Sequence, residues 1–218
     1  MISLRVTDLS TITLPMDDTR RPDHGALFGV ASEQGGYFTA RQAHRCGFSR
    51  ANLSHHAASG RFVRVGRGLY RLRAYPSSPR EEVFRAWLSF GKDTAVVSHE
   101  SALDLLGISD VVPDQVHLTV PRTRRGRPAA PGVHVHTAKV PPKRDETTLV
   151  EGVRITSPAR SIADAAAAGT SPEHILAAAR RALARGMVTP QQLEWVARQR
   201  GGWVARIIRQ ALDAAASS

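Results

Sequence analysis

Hydrophobic and polar positions change period several times along the chain, and each change marks an element. Residues 24–34, HGALFGVASEQ, read as a first helix that Gly35-Gly36 breaks. Thr39 is a good N-cap for a second helix, ARQAHRC, which Gly47 ends. Ser49 caps a third, RANLSHHAAS, which stops at Gly60, where a left-handed C-cap is expected. Two short helices joined by a tight glycine-containing turn predict a helix-turn-helix. The period then shortens: RFVRVGRGLYRL, residues 61–72, sets apolar Phe62, Val63, Val65, Leu69 and Tyr70 among arginines around Gly66 and Gly68. This predicts a hairpin in the position of a wing.

The remainder predicts a second unit of mixed character. YPSSPR, residues 75–80, reads as a linker and EEVFRAWLSFG as an amphipathic helix. AVVSHESALDLLGI starts as a short strand end and continues as a helix from about Ser98. Strands are predicted at 116–120, 132–140 and 153–157, the first two around the basic loop PRTRRGRP. Pro158 opens a helix, and two more follow with Ser/Thr-Pro starts at 171 and 189 before a last helical segment near the end. The expected fold class is α+β: an N-terminal extension at 1–23, a winged helix-turn-helix at 24–74, and a second α+β domain at 80–218.

Charge then gives the first domain a chemistry. Between Glu33 and Glu81 there is no Asp or Glu, while Arg41, Arg45, Arg50, Arg61, Arg64, Arg67, Arg71, Arg73 and Arg80 all fall there, so nine of the net +11 charges are concentrated in one folded stretch. The interleaved aromatic and aliphatic residues let that stretch fold and present its charge on a surface, and duplex DNA is the expected polyanion. A 3.6-residue period turns Ala51, Asn52, Ser54 and His55 of the third helix outward with Arg50 on its flank, side chains suited to base edges. Arg64, Arg67 and Arg71 of the hairpin are expected on phosphate or in a minor groove, with Arg41, Arg45 and Arg61 on the same basic surface. In the competing reading the same fold serves protein contacts and His55 and His56 are merely solvated.

Other candidate chemistry is weaker. His134 and His136 share one strand face with His117 nearby, but alternating histidines on a half-exposed strand are ordinarily solvated and no carboxylate stands at a suggestive spacing, so no metal or other cofactor is expected. Ser98-His99-Glu100-Ser101 holds triad residue types, yet adjacency points to a helix N-terminus, with Ser98 as cap and Ser101 or Glu100 bonding back. His99-Glu100 lacks the second histidine of the zinc-protease pattern, since Leu103 stands there. Arg122, Arg124, Arg125 and Arg127 form a loop that can add phosphate contacts or be solvated. Cys46, the one cysteine, can form no internal disulfide and is expected to pack within a helix. With no apolar run of transmembrane length and no signal-like start, the expected location is the cytoplasm.

The stretch GYFTARQAHRCGFSRANLSHHAASGRFVRVGRGLYRL, followed by VSHESALDLLGI, VHLTVPR, GVHVHTA and GVRITSPARSIADAA, resembles the AbiEi-type antitoxins of type IV toxin-antitoxin systems, from about Gly36 to Ala168. The resemblance implies an N-terminal winged helix that binds inverted repeats upstream of its own operon and represses it. It also implies a C-terminal domain that acts against a nucleotidyltransferase toxin encoded alongside. The implied DNA-binding positions are Arg50, Asn52, Ser54, His55, Arg64, Arg67 and Arg71; no antitoxicity residue carries over. Two copies are expected on the operator, from a monomer or a dimer in solution. The same N-terminal arrangement also precedes a nuclease domain in proteins similar to very-short-patch-repair endonucleases. Such a nuclease needs a metal-binding Asp followed by Glu-x-Lys or its equivalent, and this chain has no Glu-x-Lys and only three lysines, so no enzyme is expected. A free-standing regulator without a toxin is the remaining alternative.

Overall fold

Residues 21–216 are described by the computed structural model. The N-terminal unit contains α1 (His24–Ser32), β1 (Tyr37–Thr39), α2 (Ala40–Arg45), α3 (Arg50–Ala58), β2 (Phe62–Gly66) and β3 (Leu69–Leu72). The helix starts follow the capping chemistry of the sequence. Thr39 with Gln42 and Ser49 with Asn52 form reciprocal capping boxes on α2 and α3. β3 lies between β1 and β2, antiparallel to both, so the wing hairpin is closed on one side by the strand that precedes α2. Leu27, Phe38, Phe48, Leu53 and Phe62 fill the core beneath the helices. The first twenty residues of the expected N-terminal extension at 1–23 lie outside the described residues. Asp23 itself is fixed: its N–H donates to Cys46 O at 2.8 Å and its side chain caps α1.

The second unit begins with α4 (Glu81–Phe90), β4 (Val96–Val97), α5 (His99–Leu105) and β5 (Val116–Pro121). It continues with β6 (Val133–Ala138), β7 (Thr147–Val150) and β8 (Val153–Thr156), and closes with α6 (Pro158–Ala168), α7 (Pro172–Ala184), α8 (Pro190–Arg200) and α9 (Gly202–Ala216). Its sheet has the order β6-β5-β4-β8-β7, with β5–β6 and β4–β8 parallel and the other pairs antiparallel. A parallel neighbour requires the chain to travel back along the sheet before it can pair. The arginine loop, residues 122–132, is that return path. The alanines of α6 and α7 let these helices approach α8 and α9 closely, and Ile162, Ile175, Leu193 and Ile208 fill what the small side chains leave. The architecture is α+β, as the periodicity predicts. β7, with two exposed residues in the middle of TTLV, is absent from the sequence reading.

The segment predicted as a linker is instead part of a packed junction. Tyr37 and Leu69 of the N-terminal unit share a core with Phe84 and Trp87 of α4. The chain passes so close at Gly35 and Gly36, with φ of +62° and +85°, that an added Cβ would lie 2.7 Å from the Phe84 ring and 2.6 Å from Tyr75 respectively. Arg71 and Glu81 pair across the junction at 2.7 Å, and Arg80 pairs with Glu151 at 2.7 Å.

Candidate nucleic-acid interface

α3 presents its exposed face through Arg50, Ala51, Ser54 and His55, while Leu53 and His56 are turned into the core. His56 is the exception to the sequence reading. It is not a solvated ring but packs against His24, Phe48 and Phe62, and burial, followed by the neighbouring His24, holds its pKa below the ordinary histidine value. Arg41, His44 and Arg50 line a groove between α2 and α3 floored by Phe48 and Leu53. His44 is a functional candidate that the sequence reading missed, although its exposed place four residues before Phe48 on the α2 side was the available signal.

Asn52 is placed differently from expectation. It is half-buried, and its Oδ1 accepts from Ser49 N at 2.9 Å and Ser49 Oγ at 2.6 Å. Bidentate recognition of adenine needs both that oxygen and the amide NH2. The cap already uses the oxygen, so Asn52 is a positioning residue for α3 and not a free base reader.

The arginines divide into two groups. Side chains of Arg45, Arg50, Arg61, Arg64 and Arg67 are exposed and make no hydrogen bond or ion pair among the described residues. Arg41 pairs with Asp93 at 2.9 Å, but both side chains are about two-thirds exposed (66% and 67%), so solvent screening leaves that pair weak and Arg41 able to exchange its partner. Arg71 is a correction. Only 13% exposed, it donates to Glu81 Oε1 at 2.7 Å, Tyr75 O at 3.0 Å and Pro76 O at 3.1 Å, and lies over the Tyr37 ring. Its place on β3 alternates inward at the junction, so it braces the wing and offers nothing to phosphate. Arg73, likewise, donates to Gly60 O at 2.6 Å.

The wing tip has a neighbour that no local pattern could reveal. Ala40 N donates to Gly68 O at 2.8 Å, which seats the tip against the start of α2. Arg67 also lines a shallow groove with Thr123, Arg124, Gly126 and Arg127 from the crossover loop. Arg127 anchors that loop by donating to Ser89 O and Phe90 O and lying over the Phe90 ring at 5.2 Å. Arg122, Arg124 and Arg125 remain exposed. Cationic side chains from two separate segments thus meet beside the wing, the arrangement that tracks a phosphate backbone.

The histidines of the second unit also depart from expectation. In parallel register His117 pairs with His134 and Thr119 with His136, which puts all four on one sheet face. His117 Nδ1 and His136 Nε2 are 3.1 Å apart, and the His136 ring stacks on His99 at 3.5 Å between centroids. Of His99, His117, His134 and His136, only His134 is exposed. Ser98 precedes α5 but makes no capping bond; its Oγ meets His99 Nδ1 at 2.8 Å and accepts from Thr119 Oγ1 at 2.8 Å. Ser101 and Glu100 do not bond back either. The Ser101 hydroxyl accepts from His117 N and donates to Gln115 O, and Glu100 accepts from Thr170.

Among the described residues no helix is long and apolar enough to cross a membrane. No curated protein matches the chain in sequence. The solved structure of the RV2827C protein from Mycobacterium tuberculosis is similar over 87% of this chain and 75% of its own, with a TM-score of 0.57 and 16% identity, a likeness of fold. Residues 26–73, from within α1 to the end of the wing, match the family described as transcriptional regulator, AbiEi antitoxin.

Proposed function

We propose that the chain is a sequence-specific DNA-binding repressor and antitoxin that acts without catalysis of its own. In this reading α3 enters the major groove and reads base edges through Arg50, Ser54 and His55. Arg45, Arg61, Arg64 and Arg67 hold the flanking phosphates, and the 122–127 loop extends that contact beyond the wing. The observation that carries the proposal is the group of exposed arginines, unpaired among the described residues, on the acid-free stretch between Glu33 and Glu81, joined at the wing tip by a second arginine segment. Phosphate neutralisation is the interaction such a surface favours most, and base contacts from a short polar helix face add the sequence preference. Two copies on an inverted repeat upstream of the chain's own operon match the symmetry rule for such readers. The second unit then neutralises a nucleotidyltransferase toxin.

The two roles separate experimentally. Arg67→Ala combined with Arg124→Ala should relieve repression of a reporter driven by the chain's own upstream region, while cells co-expressing the toxin still survive. Repression unchanged by the double substitution would remove the wing and loop from the interface. Loss of repression with no neighbouring toxin gene to neutralise would favour a free-standing regulator.

A further inference from the structure

We infer that His99, His117 and His136 form a binding site for a divalent transition-metal ion of the zinc class, which ties the first turn of α5 to the two parallel strands that flank the arginine loop. One ligand atom from each of the three lies within 4.8 Å of the others. Two nitrogens on a tetrahedral zinc ion, each at about 2.0–2.1 Å, stand about 3.3 Å apart. The His117 Nδ1 to His136 Nε2 separation of 3.1 Å is already close to that spacing. Turning the His136 ring off its stack on His99 brings in the third nitrogen. Exposed His134, whose ring lies 4.4 Å from that of His136, stands at the rim where a fourth ligand or a water would complete the shell.

The surroundings are those of a ligand set and not of three solvated rings. Buried Ser98 Oγ, which accepts from Thr119, also accepts from His99 Nδ1–H in the tautomer that binds metal, which fixes the ring and leaves the Nε2 lone pair for the ion. His99 holds a left-handed φ of +54°, a conformation that costs energy in a non-glycine residue and persists only where neighbouring contacts enforce it. Burial first, then the other histidines, depresses His99 to about 2 and His136 to about 4, and burial lowers His117 as well, so all three offer lone pairs at neutral pH. Arg200 also disfavours charge on His99, but its guanidinium is held by Asp164. Glu100, the acid that acts on His117, is bonded to Thr170. Three imidazoles with neither thiolate nor carboxylate suit Zn2+, Co2+, Ni2+ or Cu2+ over Mg2+ or Ca2+.

The test is equilibrium titration of the chelator-stripped full chain with Zn2+ against a chromophoric competitor, followed by Co2+ absorption spectroscopy. One ion per chain and the intense visible bands of low-coordinate Co2+ are expected. Ser98→Ala should weaken Zn2+ affinity about 10- to 100-fold by freeing His99. His117→Gln and His136→Gln, at half-buried positions where circular dichroism can verify folding, should weaken it further. Absence of tight uptake by the stripped protein, or uptake that survives both glutamine substitutions, would overturn the site. In the latter case surface histidines would be the ligands.

Discussion

Replacing Arg71 with Met separates the structural account of the wing from the simpler one in which every arginine of the stretch holds DNA. Methionine keeps most of the apolar stem and removes the guanidinium. The side chains of Arg71 and Glu81 are 13% and 28% exposed, so their ion pair is only partly screened. Hydrogen bonds to a charged group contribute about 1.5–3 kcal/mol, and Arg71→Met also strips a donor from the carbonyls of Tyr75 and Pro76 and leaves Glu81 half-buried without its cation. A loss of about 2–3 kcal/mol follows, which for a chain of this size lowers Tm by roughly 4–12 °C. Burial acts to raise the Glu81 pKa, but the Ser78 N–H, Arg71 and the Ser77 and Tyr37 hydroxyls outweigh it and hold the carboxyl below its ordinary value. Its stabilisation is therefore full above the unfolded glutamate range and lost as pH falls through the lower folded value.

Urea unfolding of Arg71→Met, Glu81→Gln and the double variant at neutral pH should give a coupling of about 1–2 kcal/mol. Binding to DNA by the folded Arg71→Met protein should keep the wild-type salt dependence. A variant that unfolds like wild type but loses about one unit from the slope of log affinity against log salt would place Arg71 on a phosphate and refute the bracing role.

Three other outcomes follow from the same structure. Asn52→Ala should cost about 1 kcal/mol of stability by opening the α3 capping box, whereas Ser54→Ala should leave unfolding unchanged and reduce discrimination at one base pair by about 1–3 kcal/mol; a thermal melt beside a panel of operator variants distinguishes them. Gly36→Ala should destabilise by about 1–3 kcal/mol, since it adds a methyl at φ +85° into the Tyr75 side chain, and a wild-type urea midpoint would contradict that packing. Stability of the metal-free protein should fall as pH drops below about 6.5, because histidines that stay neutral when folded take up protons only on unfolding. His99 alone should contribute about 1.4 kcal/mol per pH unit until its depressed folded value is approached, and a flat profile between pH 7 and 5 would contradict its burial.

Much of the first unit was legible because its signals are local. Thr39, Ser49 and Gly60 announce helix ends within a few residues, and the alternation from Phe62 to Tyr70 belongs to a strand pair with a short turn. Periodicity also states which side of α3 is buried, although it could not assign His56, whose ring fits between Phe48 and Phe62 only once the wing folds back. The failures concern contacts between distant segments. Arg64 and Arg71 look equivalent in a hairpin, and it is α4, delivered across a segment that reads as a linker, that claims Arg71 through Glu81. Asn52 has two local uses for one amide, and the cap takes the oxygen. His99 stands outside any strand pattern, so its meeting with His117 and His136 depends on the register of β5 with β6 and on where α5 begins.

Sequence-specific DNA binding by the arginine face is tested by a salt titration of binding to a fluorescent duplex carrying the chain's own upstream region, beside a scrambled duplex of equal length, with wild type and Arg67→Ala. Tight binding to the native duplex is expected, with affinity that falls steeply with salt on both and a slope about one unit shallower for Arg67→Ala. Equal, weak binding to both duplexes would contradict that specificity, leaving the arginine face a general polyanion surface and the functional weight on the second unit.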